Sequence, residues 1–392
     1  MLKAADALAC AGHAVRVVSV NHTPWSTATD ALLKKARTWS SSVIDYSADS
    51  GRRLWLTSGV RQRAMQAIAS AVGPARVPMS VVTRAFSRVH DELVREATAV
   101  PADLIYGGST GALAATAESA RRLGIPYGID FEDLHSGEHG GPGSDFSNGL
   151  AARVEQRVIG RAAFATAGSP MIADAYAERY GVRPVAIHNT FSMAPVAGTD
   201  RRDGPLRLYW FSQTLGPHRG LEDILRAAGD ACVPVELHLR ARPIPEYLDS
   251  LRQLHAAVAP RLELVLHDPI NPDEMVSAAQ AFDAGIASEE SEPINKRLCL
   301  SNKIFTYLAA GIPVLMTRTL AQARLASSLG DAAFGYDSGD VQGLAQIIRE
   351  LAADPGRLAR SRQAARAAAE RRWHWEHDDD RGALVETVGK AL

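Results

Sequence analysis

The chain has 392 residues, 46% hydrophobic and 22% charged, with a formal net charge of −1. This is enough chain for two or three domains. The composition excludes a disordered or collagen-like polymer and a nucleic-acid binder that works by bulk positive charge. Cys10, Cys232 and Cys299 lie far apart with no Cys-x-x-Cys pair. They predict neither a disulfide framework nor a thiolate metal site, and point to a reducing cytoplasm. No stretch approaches the roughly 18–20 apolar residues of a membrane span, and the first ten residues lack the apolar core of a signal peptide.

The first readable unit is a helix over 2–10, stopped at Gly12, and a strand over 15–20. Units of this kind normally open on a strand. The sheet here therefore lacks its first strand, which a longer natural start is expected to supply. Residues 21–100 show short amphipathic helices and few strand signals, and residues 1–100 hold 13 Lys and Arg against 7 Asp and Glu. The segment 52–65 reads as a basic amphipathic helix. Such a helix is most often a solvated face; the sharper reading is a surface for anionic lipid head groups or an acidic acceptor.

From Asp103 the pattern is regular. Strands are predicted over 104–106, 127–130, 164–167 and 184–189, separated by helices, one of them capped by Ser169. Residues 191–206 are linker-like. A second alternation places strands over 206–211, 235–240, 262–267, 283–287, 312–316 and 332–336, with helices between them and a helical stretch over 344–370. The two alternations predict an α/β chain of two doubly wound Rossmann-like domains facing a cleft. Ligands of such sheets bind at the carboxyl ends of strands. His13, His238 and His267 fall at strand edges, where a structural role is expected.

Three segments carry the chemistry. In the stretch Gln213 to Leu221, a strand ends in a loop that opens a helix. Gly216 and Gly220 let the backbone approach a ligand, and Arg219 stands at the helix start. In the second, Ser301 reads as an N-cap, placing Asn302 and Lys303 in the first turn of a helix that stops at Gly311. A lysine there opposes the helix dipole and points to an anionic partner, read as a diphosphate shared with Arg219. In the third, Asp133, His135 and Glu138 follow an N-terminal strand at its carboxyl end, where they can bind an acceptor hydroxyl or take its proton.

These segments together resemble the GT-B-fold glycosyltransferases, in particular the family-four retaining enzymes that use nucleotide-diphosphate sugars. The loop from Gln213 to Gly220 is similar to that family's diphosphate segment, with Arg219 in the lysine place and Gln213 near the arginine place. The stretch from Ser301 to Val314 resembles its nucleotide-binding helix and following strand, and Trp373-His374-Trp375-Glu376 its ending. The resemblance implies an acceptor-side domain over 1–192, a nucleotide-sugar-binding domain over 205–370, and a C-terminal helix over 371–392 crossing back to the first. It further implies sugar transfer from the donor to a hydroxyl of a glycan or lipid-linked saccharide, with retention. It assigns Arg219, Lys303, Gly216, Gly220, Ser301 and Asn302 to the diphosphate, and Gln213, Glu290, Glu292 and Thr306 to the nucleotide and sugar. No resident cofactor and no metal are called for, because no Asp-x-Asp cluster closes a strand and two cations supply the charge.

The chain departs from that family at two places. The family's paired glutamates, eight positions apart, fall on Leu298 and Thr306, so a carboxylate from Glu289, Glu290 or Glu292 would have to substitute. The opening strand and its glycine-rich turn are missing. These departures motivate a competing reading, a non-catalytic GT-B module that binds nucleotide or glycan or supports a partner enzyme; a nucleotide-sugar epimerase on the same fold is a third.

Overall fold

Short apolar runs alternate with alanine-rich helical segments, and a parallel strand buried on both faces is how such runs satisfy both their side chains and their backbone. The computed structural model describes residues 1–23, 27, 33–34, 37–195 and 204–392. The chain divides into two units. One holds Met1–His188 with Pro293–Asn295 and Asp378–Leu392; the other holds Asn189–Glu292 and Lys296–His377. Of the linker expected over 191–206, residues 196–203 lie outside the described residues.

Among the described residues the first unit has six strands: β1 (Arg16–Asn21), β2 (Ser40–Asp45), β3 (Ile105–Gly108), β4 (Tyr127–Phe131), β5 (Phe164–Ala167) and β6 (Val185–Ala186). They form two parallel sheets, β1-β2 and β3-β4-β5-β6, and among the described residues β1 and β3 each pair on one side only. A common helical layer joins them. Val89, Leu93 and Val94 pack with Ala115, and against Val18 and Ile44 of the smaller sheet. Strand β2 escapes the sequence pattern because its first half is Ser40-Ser41-Ser42. The strand expected over 184–189 shrinks to Val185–Ala186. Beyond it, the backbone N–H and Nδ1 of His188 turn to the fully buried Asp380, at 2.8 and 3.0 Å from Oδ1. The cap expected of Ser169 is formed, its hydroxyl accepting from Ile172 N at 3.1 Å with Pro170 in the first turn.

The second unit is one six-stranded parallel sheet of β7 (Leu206–Leu215), β8 (Val235–Pro243), β9 (Glu263–His267), β10 (Ala284–Ala287), β11 (Val314–Thr317) and β12 (Ala333–Tyr336). Its order is β12-β11-β10-β7-β8-β9, so the winding reverses between β7 and β10. Strand β7 runs past its expected end by means of a register shift between Phe211 and Thr214. His238 of β8 lies between His267 Nε2 and Glu236 Oε2, 3.0 Å from each. The helix expected over 344–370 is two helices, Val341–Ala353 and Pro355–Arg371, because Pro355 lacks the N–H to continue and Asp354 caps the second. Among the described residues no helix is long and apolar enough to cross a membrane, and all three cysteines are free.

Tyr307, on the helix Asn302–Ala310, lies against the sheet and donates its hydroxyl to Tyr209 O at 3.0 Å and Ile286 O at 3.2 Å. It reaches them only because position 285 is glycine, where a Cβ would come within 2.2 Å of the tyrosine ring. Gly285→Ala is therefore expected to displace that helix and to cost about 1–3 kcal/mol, as overpacking does. A fall in the urea midpoint with the slope unchanged checks it.

Candidate functional site

In doubly wound sheets the crevice opens at the carboxyl ends of strands where the order reverses, which in the second unit means β7 and β10. The loop after β7 bends through His218, at φ 60°, and Gly220, at φ 69°. At Gly220 a Cβ would also meet Ser288 Cβ at 2.9 Å, so only glycine fits. Ser288, just after β10, donates its hydroxyl to the Arg219 carbonyl at 2.6 Å, which fixes the two strand exits side by side. The Arg219 guanidinium lies 3.4 Å from Thr214 Oγ1.

Next in sequence is Glu289, a buried carboxylate held between two ammonium groups. Lys296 Nζ is 2.8 Å from Oε2 and Lys303 Nζ is 3.3 Å from Oε1. Burial opposes its charge, but Lys303 and Lys296 outweigh that and bring it down to about 2. Burial likewise opposes the charge on Lys296; Glu289 raises it above its ordinary value while nearby Arg219 pulls against that rise. Lys303 also stands 5.7 Å from the Trp210 ring centroid. Two ammonium groups thus share one carboxylate, and the Arg219 charge acts on Lys296 beside them.

The anionic partner expected for Lys303 is, within the chain, Glu289. Ser301 occupies the N-cap position but makes no side-chain cap; its hydroxyl lies 3.5 Å from Lys303 Nζ instead. That corrects the capping expectation and leaves the first N–H groups of the helix without a side-chain partner. Asn302 is exposed there, Gly216 is buried, and Gln213 is exposed at the β7 irregularity. Glu290 turns to His218 at 3.3 Å, and Glu292 is exposed. Thr306 is fully buried and donates to Asn302 O at 3.1 Å, so its hydroxyl is spent inside its own helix. Lys296 was not among the expected residues; its only signal was its nearness in sequence to the acidic run at Glu289.

In the first unit, the chain leaves β4 into a 3-10 turn, His135–Gly137. His135 is 3% exposed, and its Nδ1 is 2.6 Å from Glu138 Oε1 and 3.3 Å from Thr110 Oγ1. Nε2 is buried with no partner. Burial opposes charge on this imidazole, but Glu138, with Glu155 and Asp133 beyond it, raises its pKa above the ordinary value. Asp133 is engaged differently, accepting from Asn295 Nδ2 at 2.8 Å while Asn295 Oδ1 accepts from Leu134 N at 2.8 Å. The fully buried Glu155 holds the turn from below, accepting from Ser136 N at 2.9 Å and from the hydroxyls of Tyr176 and Tyr180 at 2.7 Å. His135 and Glu138 are thus brought together as a pair, and Asp133 is a backbone clamp beside them.

A family model described as a glycosyl transferase 4-like domain matches residues 1–190, and one described as glycosyl transferase-like matches 244–379. A search of curated proteins finds no match in sequence. Among solved structures, Anabaena Alr3699/HepE in complex with UDP and glucose is similar over 96% of this chain and 99% of that one, at 16% identity and a TM-score of 0.66. A glycosyltransferase from Rickettsia africae ESF-5 is similar over 99% and 92%, at 12% identity and a TM-score of 0.64. The lipopolysaccharide outer core galactosyltransferase WaaB, in its apo form, is similar over 96% and 99%, at 10% identity and a TM-score of 0.57. At these identities the structural likeness speaks for the fold.

Glu289 ties pH to stability. Its carboxyl titrates near 2 in the folded chain against an ordinary 4.5. The stabilisation is therefore complete above about pH 4.5 and is lost as pH falls toward 2, with an upper size of about 3 kcal/mol. Glu289→Gln should lower stability at pH 7 and flatten the acid limb below pH 4.5. Urea unfolding of both proteins between pH 7 and 3 measures it.

Proposed function

The chain belongs to the GT-B glycosyltransferases, and from that premise we propose that it moves a sugar from a nucleotide-diphosphate donor to a hydroxyl of a glycan or lipid-linked saccharide, with retention. The observation that carries the reading is the pair of ammonium groups, Lys296 and Lys303, that share the buried Glu289 at the switch point of the second sheet, with Arg219 close enough to act on Lys296. Structures of Alr3699/HepE hold UDP and UDP-glucose, which supports the same class of donor here.

In the reaction the bond from the anomeric carbon to the diphosphate oxygen breaks and its electron pair leaves with the diphosphate. Arg219, Lys303 and the uncapped N–H groups at Asn302 and Lys303 are assigned to that developing charge. The glycines at 216 and 220 give the backbone room to approach. Gln213, Glu290 and Glu292 are assigned to the nucleotide and sugar; Thr306 serves them through the helix it stabilises. The acceptor oxygen closes the new bond, and its proton passes to the His135–Glu138 pair, where the carboxylate stabilises the imidazolium that forms. Asp133 orients the turn. The reading is metal-independent, since protein cations supply the charge.

Lys303→Met should lower turnover about 10²-fold or more, the scale of one lost charge-stabilising contact, and turnover should persist in EDTA. His135→Ala should reduce kcat more than it changes the donor KM. Radiolabelled-donor transfer assays check all three. UDP binding without any transfer or donor hydrolysis would assign the chain to the non-catalytic module instead, and donor interconversion without acceptor to the epimerase.

We further propose that the helix Arg52–Val72 meets the membrane surface carrying the acceptor. Leu56, Val60 and Ile68 are exposed along one side of it, Val60 to 66%, and Arg52, Arg53 and Arg63 are exposed around them. Leu56→Asp with Val60→Asp should abolish co-sedimentation with anionic vesicles while leaving transfer to a soluble acceptor intact.

A further inference from the structure

The first unit contains a cavity of about 540 Å³ at the other edge of its larger sheet. Tyr127, which opens β4, and Ala163, which precedes β5, line it. The His135 turn leaves the opposite end of β4, about 13 Å away at roughly 3.3 Å per residue. The cavity is therefore no part of the site already described.

Five arginines line it, Arg84, Arg121, Arg122, Arg157 and Arg161, against one carboxylate, Glu118. Glu118 is fully engaged by Arg121 and Arg122, at 2.8 Å each, and Arg84 pairs with Asp91 at 2.9 Å. Arg157 and Arg161 are exposed and make no hydrogen bond or ion pair among the described residues. A basic residue at a helix C-terminus is ordinarily explained by the helix dipole, and Arg121, Arg122 and Arg157 each end a helix. The dipole accounts for one helix at a time. It does not account for cations from separate elements lining a common cavity, where they repel.

A second observation points to a ligand. His90 lines the same cavity, is 6% exposed, and its Nδ1 has no hydrogen-bond partner. Burial, with Arg84 and Arg122 nearby, lowers its pKa, so the neutral ring offers a hydrogen bond rather than another charge. Beside the hydroxyl-bearing Ser80, Thr83 and Tyr127, the rest of the wall is apolar, including Ala114, Ala117, Ile125 and Val158.

We propose that this cavity is a second anion site, which takes a phosphoryl group carried on an apolar substituent. The arginines and His90 receive the phosphoryl oxygens and the alanine, isoleucine and valine wall receives the substituent. The ligand is either a soluble phosphate ester or the head of an anionic lipid. The proposal is independent of the donor site at Arg219 and Lys303.

The test titrates the full chain with inorganic pyrophosphate and with hexyl phosphate by calorimetry at constant ionic strength. Two classes of site are expected for pyrophosphate. Lys303→Met removes one; Arg157→Gln with Arg161→Gln weakens the other about tenfold per arginine, the scale of a charged hydrogen bond. Hexyl phosphate should follow only the second. Because the two substituted arginines hold no partner, the double variant should melt no lower than the parent without added anion, which shows that it is folded. Displacement of hexyl phosphate from the parent by phosphatidate vesicles assigns the lipid source, whether or not the helix Arg52–Val72 also holds the chain to them. Hexyl phosphate binding that phosphatidate vesicles leave undiminished assigns the soluble one. If the double variant leaves every affinity unchanged, or if Lys303→Met alone removes all anion binding, the proposal is overturned.

Discussion

A carboxylate buried between two ammonium groups organises the second unit. Taking Glu289 out of water would be prohibitive alone, and Lys303 in the first turn of a helix is opposed by the dipole of that helix. Each cost is met by the other group, with Lys296 completing the arrangement at 2.8 Å. The consequence reaches beyond stability. Because two lysines share one carboxylate and Arg219 stands near Lys296, the neutralisation is incomplete. Two ammonium groups and a guanidinium therefore stand close together where the winding of the sheet reverses. In the proposed reaction a diphosphate meets charge that the fold already holds in place, the property that makes preorganised charge effective in group transfer.

The first unit achieves comparable rigidity around His135 by hydrogen bonding instead. Glu155 has no cationic partner in its immediate contacts; it is satisfied by a backbone N–H and two tyrosine hydroxyls. Arg179 reaches Ser136 from the same side. Asn295 fixes the preceding residue through both ends of its amide. Gly137 admits Ile294, whose Cγ2 would lie 2.5 Å from a Cβ at that position. With the turn held on these sides, the imidazole is left one polar contact pair through Nδ1 and one nitrogen uncommitted, a division of roles that suits proton transfer.

Strand–helix alternation was legible wherever a short apolar run carries it, as in β7, β10 and β11. It failed where the strand is built of serine, as in β2, and where one helical pattern hides a proline break, as at Pro355. At the site, Arg219 and Lys303 were legible because glycine and helix-start signals frame them. Lys296 was not, since a lysine in a loop has no pattern until the fold turns it toward Glu289. The role of Glu289 was half visible: the acidic run was noted as a source of a carboxylate, but its function as counter-ion to two lysines depends on a contact across 14 positions of sequence. Asp133 shows the reverse failure. An aspartate beside a histidine after a strand reads as acid–base chemistry, yet its oxygen is occupied by an asparagine 162 positions away.

The two basic regions of the molecule differ in construction, and the difference bears on how each responds to its surroundings. At Lys303 the ammonium is buried and paired with Glu289, with Lys296 and Arg219 half-buried beside it, so its interaction with an anion is little screened by salt. At the amino edge of the first sheet the uncommitted arginines are exposed, and their mutual repulsion falls off within about 8 Å at physiological ionic strength. A ligand held by the first array loses little affinity as salt rises, whereas one held by the second loses much of its electrostatic share and keeps what the apolar wall contributes. The buried His90 sets a floor under that loss, because a hydrogen bond inside the cavity is not screened from bulk solution. The two sites are thus separable by ionic strength alone, a physical distinction that follows from burial and needs no knowledge of the ligand.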